Sequence, residues 1–254
     1  MEQSQIFLGT GTSTGVPQLG CKCEVCQSTD PRDNRLRCSA LYTSESTRLL
    51  FDCSPDFRMQ ALRAHIDHID ALLVTHAHYD HTGGIDDLRP YCTYNPMPLY
   101  AEEFVLDQLR NRLPYCFAEN PYPGVPRFDT RNLVPYEPFT IGGVEVKPVR
   151  VMHYQLPIVG FRIGKMAYIT DCLTMPQETK EQLQGVEVLV INALRHTEHI
   201  SHQTLNDALK IVQELSPRCT YLIHMSHDMG LHTEVAKQLP ENVYFAYDGL
   251  EIDV

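Results

Sequence analysis

The sequence lacks a long apolar segment. Its longest apolar runs, Ala71–Val74 and Val186–Ala193, are short and mixed, whereas a membrane-spanning helix needs about 20 apolar residues. The N-terminal segment Met1-Glu-Gln-Ser-Gln also lacks the basic stretch and apolar run of a secretory signal. We therefore expect no membrane contact and a cytoplasmic location.

Basic residues are scarce. Lys and Arg number 21 against 32 Asp and Glu, which gives a formal net charge of −11. This balance disfavours broad electrostatic binding of nucleic acid or anionic lipid. No internal repeat or low-complexity linker divides the 254 residues. We expect a single domain over residues 1–254 with a substantial core.

Disulfide bonds are not expected. The chain has nine cysteines, and an odd number without a secretory signal disfavours a disulfide framework. Three of them lie close together in Cys21-Lys-Cys-Glu-Val-Cys26, and the others are scattered. Three thiolates supply all but one ligand of a closed tetrahedral zinc site.

Short apolar runs alternate with amphipathic segments, which predicts an α/β fold with layered sheets. The predicted strands are Gln5–Leu8, Arg48–Asp52, Ala71–Thr75, Val144–Val151, Val159–Ile163, Met166–Thr170, Val186–Asn192, Cys219–Ile223 and Tyr244–Ala246. The clearest predicted helix is His202–Leu215, with Ser201 as its N-cap and Pro217 beyond its end. Helices are also expected over Met59–His65 and Glu102–Leu113.

The strongest chemical signal is the segment Thr-His-Ala-His-Tyr-Asp-His at residues 75–81. It follows a predicted buried strand, and α/β sheets place their chemistry at the carboxyl ends of strands. Four potential ligands within six residues cannot all reach one tetrahedral metal. We expect His76 and His78 to face one ion, and Asp80 and His81 to face a second.

Three further potential ligands stand at strand ends. His153, Asp171 and His224 each follow an apolar strand directly. The three side chains could therefore converge with residues 76–81 on one edge of a sheet.

Together these residues resemble the metallo-β-lactamase superfamily. The resemblance implies a four-layer αββα sandwich with two metals at one edge. It implies that His76, His78 and His153 bind the first metal, that Asp80, His81 and His224 bind the second, and that Asp171 bridges both. Asp52 matches the family carboxylate that orients a ligand histidine. Position 78 carries a histidine, as in hydrolases that the chain resembles and unlike a redox di-iron branch. Position 171 carries an aspartate, whereas true β-lactamases carry a cysteine there.

The cysteine cluster narrows the resemblance to the branch typified by the phosphoribosyl cyclic-phosphate phosphodiesterase of phosphonate degradation. Members of that branch carry a structural zinc, here implied on Cys21, Cys23, Cys26 and His227. They also carry a general-acid histidine before a helix, which matches His202. His196 and His199 lie nearby and compete for that assignment.

The resemblance implies a phosphodiesterase that acts on a small anionic phosphodiester, and a cyclic one is expected. A hydroxide shared by the metals would attack phosphorus, with His202 as acid and Asp80 and Asp171 at the centre. Zinc, manganese and iron all suit the two catalytic positions. The branch also implies a homodimer, which nothing in the residues demands. Alternatives are a tRNA 3′-processing nuclease, a thioesterase or lactonase, and a non-catalytic metal-binding protein of cofactor biosynthesis.

Overall fold

Two seven-stranded mixed sheets form the centre of the computed structural model, which describes residues 3–254. Residues 1 and 2 of the predicted domain lie outside this part. In spatial order, the first sheet contains β14 (Glu251–Asp253), β1 (Ser4–Gly9), β2 (Ser39–Ser44), β3 (Thr47–Phe51), β4 (Ala71–Leu73), β5 (Met97–Ala101) and β6 (Phe128–Asn132). The second contains β13 (Val243–Phe245), β12 (Cys219–Ile223), β11 (Val188–Asn192), β10 (Met166–Ile169), β9 (Leu156–Ile163), β8 (Val144–His153) and β7 (Phe139–Ile141).

Helices cover the outer face of each sheet. The α-helices are α1 (Phe57–Arg63), α2 (Tyr79–Thr82), α3 (Glu103–Arg112), α4 (Gln177–Gln182), α5 (Leu205–Leu215) and α6 (His232–Val235). One apolar core lies between the sheets, where the rings of Phe51 and Tyr168 stack at 4.8 Å. A second packs α1 and α3 against the first sheet, and a third packs α5 against the second sheet. The predicted four-layer αββα sandwich is confirmed.

Strand direction brings the polar strand ends to one edge. β3 and β4 run parallel in the first sheet, and β10, β11 and β12 run parallel in the second. β8 has the same direction as β10, because both are antiparallel to β9. The carboxyl ends of β8, β10 and β12 therefore meet at one edge of the second sheet. A bridge between Gly11 and Met225 joins the two halves there.

Several strands have no clear apolar pattern in the sequence and were not predicted. They are β2, β5, β6, β7 and β14. β6 is an edge strand with no fully buried residue, and β5 carries Pro98, so neither shows the pattern of a buried strand. The predicted hairpin at Gly164-Lys165 is confirmed, since Ile163 pairs with Met166.

The predicted start of the longest helix was wrong. α5 begins at Leu205, and its N-cap is Thr204 rather than Ser201. The Thr204 hydroxyl accepts from the backbone N–H of Asp207, and the Asp207 carboxylate accepts from the backbone N–H of Thr204. This reciprocal capping box satisfies the first turn, which leaves residues 201–203 free to adopt a non-helical course beside the strand ends.

Within residues 3–254, none of the helices combines the length and apolar character needed to cross a bilayer. The single domain over residues 1–254 stays a prediction.

Candidate metal centre

Seven predicted ligands gather at the shared edge in two overlapping groups. One group is His76, His78, His153 and Asp171, and the other is Asp80, His81, Asp171 and His224. Within each group, the potential ligand atoms all lie within 4.8 Å of one another. Asp171 belongs to both groups. The structure thus places the seven side chains in two groups that share Asp171.

The Asp171 carboxylate lies between the two groups. Its Oδ1 is 3.1 Å from His224 Nε2 and 3.2 Å from His81 Nε2. Its Oδ2 is 3.7 Å from His76 Nε2. One oxygen thus faces each group, which is the arrangement that a carboxylate shared by two cations requires.

Neighbouring polar groups fix the orientation of three histidines. His81 Nδ1 lies 2.7 Å from Asp52 Oδ2, and His153 Nδ1 donates to the Ser201 carbonyl at 2.9 Å. His76 Nδ1 lies 2.9 Å from the Thr75 hydroxyl. In each case the partner engages Nδ1 and leaves Nε2 directed at the centre, as in histidines that ligate metals.

The centre contains buried nitrogen atoms that protein groups do not satisfy. Among the described residues, Nε2 of His76, His81 and His224 is buried without a hydrogen-bond partner. An unsatisfied buried polar atom carries a large desolvation cost, and a metal ion is one partner that removes it. The donor set of imidazoles and carboxylates therefore fits divalent cations such as Zn²⁺, Mn²⁺ or Fe²⁺.

The pKa shifts of two histidines in the centre also fit a metal site. Burial lowers the pKa of His76 well below its usual range, so this imidazole is neutral and able to ligate. Burial also opposes a charge on His81, but the carboxylates of Asp171 and Asp80 outweigh it and raise the His81 pKa well above normal. The carboxylates thus attract positive charge to a buried position, as they would attract a cation.

The backbone is strained where the centre is built. Asp52, Asp171 and His224 all have positive φ, at 56°, 53° and 57°. Non-glycine residues rarely adopt this conformation, and it concentrates at functional sites. Each of these residues follows a strand of the two sheets, where a left-handed residue turns the chain away from the strand direction.

His202 is the histidine that reaches the centre from outside the two groups. Its Nε2 lies 3.2 Å from Asp171 Oδ2. Burial lowers the His202 pKa, although Asp171 opposes this shift. His196 instead directs Nε2 to the Met229 carbonyl at 3.0 Å, and His199 contacts His202 through Nδ1 at 3.2 Å. Of these three histidines, His202 is the one that contacts the Asp171 carboxylate.

The cysteine cluster forms a separate group with His227. Nδ1 of His227 lies 3.5 Å from Cys21 Sγ and 3.3 Å from Cys23 Sγ. Zinc bonds of about 2.3 Å to sulfur and 2.0–2.1 Å to nitrogen place tetrahedral ligands about 3.5 Å apart. Backbone N–H groups of Cys26 and Gln18 point at Cys23 Sγ and Cys26 Sγ.

The pKa values of two thiols in this cluster shift in opposite directions. Hydrogen bonds from the Cys26 backbone and from His227 lower the pKa of Cys23 to about 6, whereas burial raises the pKa of Cys26 to about 11. The lowered pKa of Cys23 favours the thiolate form in which a cysteine binds metal. The spacing and chemistry of these four residues fit one zinc ion.

Several supporting residues were missed from the sequence. The Thr170 hydroxyl donates to Asp171 Oδ1, and the Thr75 hydroxyl donates to Asp52. The Asn192 side chain bonds both backbone groups of Cys172 and so anchors the turn after Asp171. The two threonines could have been recognised in the sequence, because each directly precedes a predicted ligand at a strand end.

Comparison with known proteins agrees with this geometry. The family model described as "Beta-lactamase superfamily domain" matches residues 47–225. A Porphyromonas gingivalis protein named octanoyltransferase is 48% identical over 248 residues, which cover 97% of this chain. This chain spans only 50% of that relative's length.

Two solved structures match this chain over almost its whole length. A crystal structure described as a new diphosphatase from the PhnP family is 38% identical, with a TM-score of 0.93, and the match covers 100% of this chain and 98% of the other. Zinc-bound PqqB from Methylobacterium extorquens has a TM-score of 0.82 at 19% identity, covering 99% and 100% of the two chains, which shows the fold alone. The chain belongs to the metallo-β-lactamase superfamily of hydrolases, in its PhnP branch.

Proposed function

We propose that this chain is a dinuclear metal-dependent hydrolase that cleaves a small phosphodiester. The observation that carries the proposal is the Asp171 carboxylate, with one oxygen directed at each group of imidazoles. The PhnP-family neighbour is described as a diphosphatase, which supports chemistry at phosphorus. The proposed enzyme binds two catalytic divalent ions, which are zinc, manganese or iron, and one structural zinc.

The two catalytic ions, when bound, would neutralise phosphate oxygens and lower the pKa of water. The chain's own residues set the geometry for this chemistry. Asp171 fixes the position of the centre, while Asp52, Thr75 and Ser201 hold imidazoles with Nε2 inward. No strong protein base is needed at the attacking water.

His202 would supply the proton that a departing sugar oxygen requires. Its Nε2 lies within reach of the centre, and its Nδ1 lies 3.0 Å from the Ser201 hydroxyl. The ring is thus contacted on its far side while Nε2 faces the Asp171 carboxylate. An alkoxide leaves poorly without a proton, and general-acid help is typically worth about 10²–10⁴ in rate.

The net charge and the cysteine cluster support two further parts of the proposal, the kind of substrate and the location. The net charge of −11 opposes long polyanions, so a small anionic diester is proposed and nucleic acid is not. The thiols of the cysteine cluster must stay reduced to hold zinc, which supports a cytoplasmic location. A homodimer, as implied by the branch, remains part of the proposal.

A second candidate is hydrolysis of an acyl ester or thioester. It is favoured by the name of the Porphyromonas gingivalis relative, an octanoyltransferase. That name describes a protein of about twice the length, so the transferase activity could belong to its other half. The metal centre is equally compatible with attack at an acyl carbon.

A substrate panel tests the proposed function. Protein loaded with Mn²⁺ or Zn²⁺ is assayed on a ribose cyclic phosphate, a dinucleoside diphosphate, a tRNA precursor and an octanoyl thioester. We expect the two small phosphorus substrates to be hydrolysed, because two divalent ions at the centre would neutralise phosphate charge. Turnover of the thioester alone would favour the second candidate, and turnover of the tRNA precursor alone would contradict the small-substrate proposal.

Replacing His202 should separate substrates by their leaving groups. We expect His202→Ala to reduce turnover of the ribose cyclic phosphate by about 10²–10⁴, since its alkoxide needs a proton. Turnover of bis(p-nitrophenyl) phosphate should change little, because nitrophenolate leaves unassisted. His196→Ala is the control, since His196 faces the Met229 carbonyl. Equal losses on both substrates would remove His202 from the role of acid.

Metal analysis should distinguish the two kinds of site. We expect about three ions per chain in protein purified without chelator, two catalytic and one structural. Cys23→Ser should lose one zinc and lower the melting temperature, because a structural zinc contributes directly to folding. Cys219→Ser, which alters a partly buried thiol outside the cluster, should keep all three. An unchanged zinc content in Cys23→Ser would contradict the structural site.

A further inference from the structure

One short segment, residues 76–82, supplies four of the seven side chains in the metal centre, and we call it the ligand loop. His76 and His78 belong to one group of potential ligands, and Asp80 and His81 belong to the other. The path of the ligand loop therefore helps to set the spacing between the two groups. A side chain that fixes this path would act on both metal positions at once.

The side chain of Arg112 contacts the ligand loop near both of its ends. Its Nη1 donates to the Thr82 hydroxyl at 2.7 Å, and its Nη2 donates to the Ala77 carbonyl at 2.9 Å. Ala77 directly precedes His78, and Thr82 directly follows His81. One guanidinium thus connects the neighbour of a ligand in the first group to the neighbour of a ligand in the second.

The Thr82 hydroxyl also holds the backbone of His78. It donates to the His78 carbonyl at 2.8 Å while it accepts from Arg112. The Arg112 contact with the Ala77 carbonyl fixes the peptide group on the other side of His78. Thr82 and Ala77 are both buried, and a hydrogen bond from a charged donor is stronger than one from a neutral donor. Both peptide groups that flank His78 are therefore held.

Arg112 reaches the ligand loop from a firmly packed helix. It is the last residue of α3, which buries Val105, Leu106 and Leu109 in the core against the first sheet. Basic residues are common in the last turn of a helix, because they interact favourably with the helix dipole. The two hydrogen bonds of Arg112, however, reach residues 30 and 35 positions away in the chain. The helix dipole does not account for those contacts.

Further contacts support the same part of the chain. The Tyr115 hydroxyl, just beyond α3, donates to Asp86 Oδ1 at 3.0 Å. The backbone N–H of Cys53, which follows β3, donates to the His81 carbonyl at 2.7 Å. The ligand loop and the residues after it are thus held both from the end of β3 and from the end of α3.

We propose that Arg112 is a positioning residue that holds the ligand loop so that its four side chains bind two metal ions as a pair. This inference rests on the proposed function, because it requires a dinuclear centre. Arg112 acts through the Thr82 hydroxyl and the Ala77 carbonyl rather than on the substrate. Without the guanidinium both groups lose a charged partner, and the loop no longer keeps the two groups at one spacing. The two ions then bind more weakly.

Manganese binding tests this role without turnover. Protein depleted of its catalytic ions, but still holding its structural zinc, is titrated with Mn²⁺ and followed by electron paramagnetic resonance, which distinguishes a coupled ion pair from isolated ions. We expect the wild type to bind a coupled pair. Arg112→Ala should bind Mn²⁺ about 10–100-fold more weakly, the usual effect of removing a residue that orients metal ligands, and should give the signal of isolated ions. Its zinc content should not change, because the cysteine cluster is a separate group.

Two variants control for charge and for the helix itself. Arg112→Lys keeps the positive charge but replaces the planar fork with a single ammonium group, so we expect an intermediate Mn²⁺ affinity. Arg110→Ala removes another arginine from the last turn of α3, whose partners are Glu103, Asp107 and Thr130. This variant should bind Mn²⁺ as the wild type does.

The outcomes separate the role of Arg112 from the proposed function. Wild-type affinity and a coupled pair in Arg112→Ala would overturn the positioning role. Loss of zinc together with Mn²⁺ in both Arg112 variants would also overturn it, since that result indicates a general loss of structure. Binding of one isolated Mn²⁺ by the wild type would refute the proposed dinuclear function. A weakening of that single ion by about 10–100-fold in Arg112→Ala would still support Arg112 as a residue that positions the ligand loop.

Discussion

The structure depends on placing one carboxylate, that of Asp171, between two groups of buried imidazoles. That carboxylate helps to raise the pKa of His81 against the effect of burial. Within residues 3–254, Nε2 of His76, His81 and His224 is buried without a hydrogen-bond partner. The arrangement is tolerable only because two packed sheets hold the strand ends rigidly at one edge. The strained φ of Asp171 and His224 indicates that the surrounding fold determines their positions.

Much of the centre could be predicted from the sequence, because its ligands follow apolar strands directly. Parallel strands bring such residues together whatever the loops between them do. His76 and Asp171 each lie just beyond the end of a strand with a threonine directly before them, and both lie in the centre. The sequence could not give the distances between the groups, since these depend on how the two sheets pack.

The errors have specific physical causes. The start of α5 was misplaced because Ser201 and Thr204 are both good N-caps, and only Thr204 has an aspartate three residues later to complete the capping box. The edge strand β6 was missed because it has no fully buried face.

The most direct test of the account is the position of the bound metals. Crystals of the Mn²⁺-loaded protein should show two anomalous peaks about 3.5–4 Å apart, each facing one oxygen of Asp171. A further zinc peak should lie among Cys21, Cys23, Cys26 and His227. A single peak at the Asp171 centre, or two peaks of which Asp171 touches only one, would contradict the central claim.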